Sequence, residues 1–117
     1  LRQKLNRDCY PTALAPLHQS IMDNAAQGTY EVAAAAAAAN ISLRTAQRLA
    51  QQHGTSVQKL VNDIRQTNAQ AFLSNPEITI ETVGQLVGYA DVRAFRRAFK
   101  RWTKLSPKEY RNEIFKE

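Results

Sequence analysis

A basic segment between Asp91 and Lys104 is the part of this sequence whose side chains are best suited to do chemistry. Its apolar residues recur at helical spacing and would form one buried face: Val92, Phe95, Phe99 and Trp102. The rest of the helix surface carries six cations and no carboxylate: Arg93, Arg96, Arg97, Lys100, Arg101 and Lys104. A solvated helix face usually interleaves glutamate with lysine. The pattern therefore favours contact with nucleic acid over a plain solvated face.

Two of these arginines are suited to reading base pairs. Arg93 and Arg97 lie four positions apart, which places them on the same side of a helix. A guanidinium group can bind guanine O6 and N7 together, and such a contact gives about 1–3 kcal/mol of base discrimination. Lys100, Arg101 and Lys104 lie nearer the helix end, where we expect them to neutralise phosphates without specifying sequence.

The basic helix follows a shorter apolar helix and a tight turn. Thr79 is placed to cap the short helix, whose apolar residues run from Ile80 to Val87, and residues 88–90 supply the turn. This order is typical of a helix-turn-helix, in which the second helix enters the major groove with its N-terminal residues against base edges. Residues from Asp91 to about Thr103 are therefore predicted to form a recognition helix.

The same order of elements occurs earlier in the chain. The alanine-rich residues 31–39 favour a short helix capped by Thr29, and Asn40 can adopt the left-handed conformation that ends it. Ser42 is then placed to cap a further helix that runs to about His53.

This earlier helix-turn-helix aligns with the later one residue by residue. Residues 43–48 match residues 92–97, apolar on apolar and arginine on arginine. In the earlier helix, the side chains that correspond to these base-reading residues are Arg44, Gln47 and Arg48. The glutamine could pair with adenine. Two related lobes are predicted, each with its own recognition helix.

Helices are also predicted to flank and join the two lobes, which gives an all-α fold of about seven helices and a homeodomain-like arrangement. The predicted parts are a tail or linker at 1–12 and a domain at 13–117, comprising lobe one at 13–55, a connecting helix at 56–74 and lobe two at 77–115. The connecting helix has an apolar stripe at Val57, Leu60, Val61, Ile64, Asn68, Ala71 and Phe72. The last helix begins at Ser106 and Pro107, and its Tyr110, Ile114 and Phe115 are expected to face inward.

These motifs resemble a known family. The residues 88–102, GYADVRAFRRAFKRW, followed by LSPKEYR at 105–111, are similar to the C-terminal signature of AraC/XylS transcriptional regulators. Residues 42–49, SLRTAQRL, with Gly54, Thr55 and Ser56, are similar to a shortened version of the first-lobe motif. The resemblance covers about residues 28–114.

The resemblance implies a function and a set of contacts. It implies sequence-specific binding of double-stranded DNA, bending of that DNA and recruitment of RNA polymerase. The base-reading positions of the family fall on Arg44, Gln47, Arg48, Val92, Arg93, Arg96 and Arg97. Apart from the resemblance, phosphate contacts are expected near helix ends, at Ser42, Ser56, Lys59, Lys100, Arg101, Lys104 and Ser106. Two recognition helices on one face of the duplex would lie about 34 Å apart, which is one helical turn.

The sequence departs from the family pattern at several positions. Ala35 and Ala39 replace larger residues, which predicts a loosely packed first lobe. Gly84 replaces an alanine, at a cost of up to about 1 kcal/mol of helix stability. Ala90 replaces a capping serine, so Asp91 must cap the helix or lie just inside it, and Lys104 replaces a glycine.

Other kinds of site find little support. Cys9 is the single cysteine and there are two histidines, so neither a disulfide framework nor a Cys/His metal site is expected, and no cofactor is predicted. No apolar run reaches transmembrane length, and we expect a cytoplasmic, nucleoid-associated protein with no membrane partner. Because the chain begins at Leu1 rather than methionine, we expect it to be a fragment whose missing domain carries effector binding and dimerisation, and the isolated domain to be monomeric.

Three functions remain open at this point. The net charge of +6 suits both a sequence-specific transcription factor and a nonspecific architectural DNA binder. A helical protein-interaction module would need neither the charge nor base discrimination. An enzyme is not expected, because we find no paired carboxylates, nucleophile with a base, or phosphate-binding glycine loop.

Overall fold

A computed structural model describes residues 12–116 of the chain, with the side chain of Thr12 left out. Its regular elements are all helical, as predicted. A 3₁₀ turn at Thr12–Leu14 precedes seven α-helices: α1 (Ala15–Ala25), α2 (Val32–Ala38), α3 (Leu43–Gln52), α4 (Val57–Leu73), α5 (Ile80–Leu86), α6 (Val92–Thr103) and α7 (Pro107–Ile114). The predicted tail, residues 1–12, lies almost wholly outside the described residues, and Cys9 with it. None of the described helices is both long and apolar enough to cross a membrane.

The chain forms two compact units whose boundary falls inside α4. The first unit ends at Asn62 and the second begins at Asp63. The prediction treated residues 56–74 as a separate connecting segment between lobes, and that division stays a prediction. Each unit contains one helix-turn-helix: α2 and α3 in the first, α5 and α6 in the second.

The first unit has a core built around α1. Leu14, Leu17 and Ile21 are 1% exposed, and α1 packs against the alanine-rich α2, which in turn packs against α3. Helix α2 contributes Ala35 and Ala36 to this core, whereas Ala39 is half-buried. Alanine brings little apolar area to a core, so larger buried side chains outside α2, among them Leu17 and Ile21 of α1 and Leu60 of α4, supply more of the burial.

The limits of α2 differ by a few residues from those predicted. The helix begins at Val32 with Glu31 at the N-cap, and no side chain caps it, so the prediction of Thr29 as cap is wrong. Its end is as predicted, because Asn40 takes the left-handed conformation with φ 62°. Alanine needs no cap to favour a helix, since it loses no side-chain entropy there.

The second unit is organised by a close approach of α5 to α6. A Cβ atom added to Gly84 would lie 3.1 Å from Cβ, Cγ and Cδ2 of Phe95, which is tighter than ordinary packing. Glycine at this position therefore lets the backbone of α5 lie directly against the Phe95 ring. Glycine lowers the helix propensity of α5 at position 84, and this cost accompanies the close contact with Phe95.

The aromatic residues of the second unit pack in a continuous cluster. The Phe99 ring centroid lies 5.8 Å from that of Phe95 and 5.4 Å from that of Tyr110, which carries the contact between α6 and α7. Tyr89, in the turn before α6, lies 5.8 Å from Phe95 and 6.4 Å from Trp102. Tilted and edge-on aromatic pairs of this kind add to the area they bury.

Two predicted apolar faces differ from those observed. In α4 the buried residues after Ile64 are Ala69 and Leu73, whereas Ala71 is exposed. The part of α4 after Asn62 contributes to the second unit's core, which need not use the same helix face as the first. In α7, Ile114 and Phe115 are 38% and 47% exposed rather than inward, because the helix packs through its first turn.

A reciprocal hydrogen-bonded cap starts α7. The Glu109 backbone N–H donates to the Ser106 hydroxyl at 3.1 Å, and the Ser106 backbone N–H donates to Glu109 Oε1 at 2.8 Å. This is the capping box that serine three residues before glutamate predicts. The Ser106 backbone donor lowers the pKa of Glu109, and the positive charge of Lys100 lowers it further.

Lys104 ends α6 in a conformation that favours glycine. Its φ is 71°, and its backbone N–H donates to the Lys100 carbonyl at 2.8 Å. The left-handed region costs an ordinary residue about 1 kcal/mol or more relative to glycine. The predicted departure from the family pattern at this position is thus a site of backbone strain.

We predict that Lys104→Gly raises the free energy of unfolding by about 1 kcal/mol, because glycine adopts the observed φ without strain. Urea denaturation followed by circular dichroism measures this. Lys104→Ala is the control, since it removes the same charge and keeps the Cβ atom. Equal stabilities of the glycine and alanine variants would contradict the strain at this position.

The lowered pKa of Glu109 predicts a pH-dependent contribution to stability. The charged carboxylate stabilises the fold at pH values above its unfolded-state pKa, and the contribution is lost as pH falls through the lower folded-state pKa. Glu109→Gln keeps the capping geometry without the charge. The wild-type chain should therefore be the more stable at pH 7, with the difference closing as the pH falls through the folded-state pKa of Glu109. A difference that stays constant over this range, in urea titrations at several pH values, would rule out the charge as its source.

Candidate nucleic-acid interface

Helix α6 has a buried aromatic face and an exposed cationic face. Phe95 and Phe99 are fully buried and Trp102 is half-buried. The exposed residues of the other face are Arg93, Arg96, Arg97, Lys100 and Arg101, with Lys104 exposed just after the helix end. The burial of the two phenylalanines fixes the rotation of α6 about its axis, so the cations must point outward. We call these six residues the α6 basic face.

The start of α6 is fixed by Asp91. Its Oδ1 accepts a hydrogen bond from the Arg93 backbone N–H at 2.9 Å, which makes Asp91 the N-cap. The sequence predicted that Asp91 either caps α6 or lies just inside it, and the structure shows that Asp91 caps the helix. The hydrogen bond from the Arg93 backbone lowers the pKa of Asp91, and the charges of Arg93 and Arg97 lower it further. Val92, which follows, is half-buried and so partly accessible beside the cations.

In the first unit, α3 occupies the equivalent place. Ser42 is its N-cap, accepting a hydrogen bond from the Thr45 backbone N–H at 3.0 Å. Ala46 and Ala50 are fully buried against the unit's core. The three predicted readers are all exposed on the opposite side: Arg44, Gln47 and Arg48. Helix α3 therefore presents a smaller polar face with two cations and no carboxylate.

The remaining predicted phosphate contacts lie at helix starts. The Ser56 hydroxyl accepts a hydrogen bond from the Lys59 backbone N–H at 3.0 Å, and both residues are exposed on the first turn of α4. Ser106 is half-buried, and its hydroxyl and backbone N–H are both engaged with Glu109. The structure thus brings the predicted base contacts together on two helices, whereas the phosphate contacts are spread over several helix ends. The individual base and phosphate contacts stay predictions.

Two arginines of the second unit bind other residues of that unit. The Arg111 guanidinium donates from Nε to the Leu73 carbonyl at 3.0 Å and from Nη2 to the carbonyls of Asn75 and Ile78 at 3.1 and 2.6 Å. Arg65 lies over the Tyr89 ring, with its guanidinium carbon 4.7 Å from the ring centroid. Sequence reasoning assigned neither contact. For Arg111, the carbonyls left unpaired at the end of α4 were a usable signal.

Sequence reasoning also missed an ion pair on the α6 basic face. Arg93 Nε lies 3.4 Å from Asp91 Oδ1, the same oxygen that caps the helix. The cap was predicted, but the contact with the side chain two residues later was not. Among the described residues, no cluster of three or more histidine, cysteine, aspartate or glutamate side chains could hold a metal ion.

The chain is similar to known regulators over most of its described length. It is 35% identical over 71 residues to the HTH-type transcriptional regulator VqsM of Pseudomonas aeruginosa, an overlap of 61% of this chain and 22% of that protein. It is 36% identical over 94 residues to the arabinose operon regulatory protein of Escherichia coli K12, an overlap of 80% of this chain and 32% of that protein. The chain thus spans between about a fifth and a third of the length of these relatives.

The fold matches a solved structure as well. The crystal structure of a DNA-binding transcriptional dual regulator from Escherichia coli K-12 superposes with a TM-score of 0.81 at 20% identity, covering 92% of this chain and 96% of that one. At this identity the likeness shows the all-α fold. The family described as helix-turn-helix domain matches residues 35–113, which include the whole second helix-turn-helix and the first from within α2 onward. The chain belongs to this helix-turn-helix domain family, and its resemblance to AraC/XylS regulators is confirmed.

Proposed function

We propose that this chain binds double-stranded DNA sequence-specifically to regulate transcription, with α3 and α6 as its two recognition helices. The observation that carries the proposal is the α6 basic face, which lies opposite the fully buried Phe95 and Phe99. A helix that follows a short helix and a tight turn can insert its first turns into a major groove. The names of the relatives are those of transcriptional regulators, which supports this function over an enzymatic one.

In this proposal, base contacts come from the first two turns of each recognition helix. Those residues are Arg93, Arg96, Arg97 and Val92 on α6, and Arg44, Gln47 and Arg48 on α3. Arginine pairs with guanine, glutamine with adenine, and valine offers an apolar contact of the kind that suits the thymine methyl group. The two helices would then read neighbouring major-groove segments about one helical turn apart.

Phosphate contacts would come from the end of α6 and from the starts of helices. Lys100, Arg101 and Lys104 follow the base-reading turns of α6, and Ser42, Ser56, Lys59 and Ser106 lie at helix starts. Backbone N–H groups at a helix start favour an anion. Recruitment of RNA polymerase, and dimerisation through a further domain, belong to the whole regulator and are proposed from the family resemblance. The chain itself supplies two recognition helices, so we expect it to act as a monomer.

Selection of bound fragments from a random double-stranded DNA library, at near-physiological salt, tests the proposal. Salt must be controlled because phosphate contacts dominate affinity at low ionic strength. An enriched motif in two halves supports sequence-specific reading by two helices. Binding without an enriched motif would favour the nonspecific architectural function, and absence of binding would favour a protein-interaction module.

We predict that Arg97→Ala lowers affinity for the enriched site by roughly five- to a hundredfold, because a bidentate arginine–guanine contact is lost. Affinity for a scrambled DNA of the same length should fall only by the effect of one charge. Fluorescence anisotropy with the two DNAs gives both affinities. Equal losses on both would remove Arg97 from the base contacts.

Lys100→Ala is the matched variant on the same helix, since it removes one charge from an exposed position nearer the helix end. It should weaken binding to both DNAs alike and reduce the slope of log affinity against log salt by about one. An unchanged slope would show that Lys100 contacts no phosphate.

A further inference from the structure

Asp91 places a negative charge beside the cationic surface that we propose to contact DNA. Among the described residues it is the only carboxylate within 4.0 Å of a cation of the α6 basic face. It is also exposed, with half of its side chain accessible. A carboxylate at the groove-facing end of a recognition helix opposes the approach of a polyanion, so its presence calls for a specific role.

Capping alone does not require a charge. Ser42 caps α3, the equivalent helix of the first unit, with a hydroxyl that accepts one hydrogen bond at 3.0 Å. Serine, asparagine and aspartate are about equally good at the N-cap. What aspartate adds at position 91 is reach and charge, and both are directed at Arg93.

The geometry of the Asp91–Arg93 contact leaves the useful donors of the arginine open. Asp91 Oδ1 lies 2.9 Å from the Arg93 backbone nitrogen and 3.4 Å from Arg93 Nε. Nε carries one of the five guanidinium N–H groups, and the other four are on the two terminal nitrogens. A guanine edge offers two acceptors, O6 and N7, which these two terminal nitrogens can bind together.

We infer that Asp91 is a positioning residue for base recognition, holding the Arg93 guanidinium through Nε so that its two terminal nitrogens are presented to a guanine. This inference rests on the proposed function, because it needs Arg93 to contact a base. Arginine has many rotamers, and restricting them before binding reduces the entropy lost in the complex. An exposed ion pair is weak in water, but it strengthens when the groove excludes water around it.

The inference predicts a loss of base discrimination in Asp91→Ser, which keeps a capping hydroxyl but neither reaches Nε nor carries charge. At the base pair whose preference depends on Arg93, the affinity ratio between preferred and disfavoured pairs should fall about fivefold, the lower end of one bidentate contact. Affinity for scrambled DNA should rise, because a negative charge has been removed. Asp91→Asn, which keeps the size of the side chain and loses the charge, gives a second measurement if Asp91→Ser folds poorly.

Glu109→Gln is the matched control. It removes a carboxylate from another helix cap in the same unit, where the carboxylate contacts the Ser106 backbone rather than an arginine. It should raise affinity for scrambled DNA as Asp91→Ser does, and leave every base preference unchanged. A loss of discrimination in both variants would overturn the inference, because it would then follow from net charge alone.

A double-mutant cycle with Arg93→Ala separates a positioning role from direct contact. If Asp91 acts through Arg93, then adding Asp91→Ser to Arg93→Ala changes no base preference further. If discrimination still falls, Asp91 itself accepts a hydrogen bond from a base such as cytosine, and the inference is wrong. Unchanged discrimination in Asp91→Ser alone would also overturn it. Failure of the proposed function has a different signature, because the wild-type chain would then show no base preference at all.

Discussion

The packing of Phe95 against the backbone of α5 is the contact on which the functional surface of the second unit depends. Glycine at position 84 favours this approach, since an added Cβ would lie 3.1 Å from the Phe95 side chain and the ring would have to shift by a few tenths of an ångström. With Phe95 and Phe99 buried, α6 has one possible rotation, and its arginines and lysines form a single exposed face. Tyr89 extends the same cluster into the turn before α6. The aromatic core thus decides where the charge lies.

Much of this arrangement is decided by residues close together in the chain and can therefore be predicted from the sequence. The caps at Ser42 and Ser106 and the left-handed Asn40 were predicted because one or two neighbouring residues decide them. The inward side of α4 after Ile64 was not, because the tertiary contacts of the second unit decide it. The three carbonyls bound by Arg111 lie more than thirty residues away from it, so the unpaired carbonyls at the end of α4 indicate that a donor is needed but not which side chain supplies it.

The two proposed recognition helices, α3 and α6, pack against different cores. The packing affects how firmly each helix holds its exposed side chains. Helix α3 buries Ala46 and Ala50, so less apolar area holds it than the two phenylalanines give α6. Fewer packing contacts allow larger local fluctuations. We propose that α3 adapts to the DNA more than α6 does, and that α6, with Arg93 held by Asp91, supplies the stricter half of the recognition.

In the proposed function, two helices of one chain read two separate stretches of DNA. The most direct measurement compares the motifs selected from a random library by two double variants, Gln47→Ala with Arg48→Ala on α3 and Arg93→Ala with Arg97→Ala on α6. We expect each variant to lose base preference in a different half of the motif and to retain it in the other, with the centres of the halves about one helical turn apart. Loss of the same positions in both variants, or of none, would contradict it.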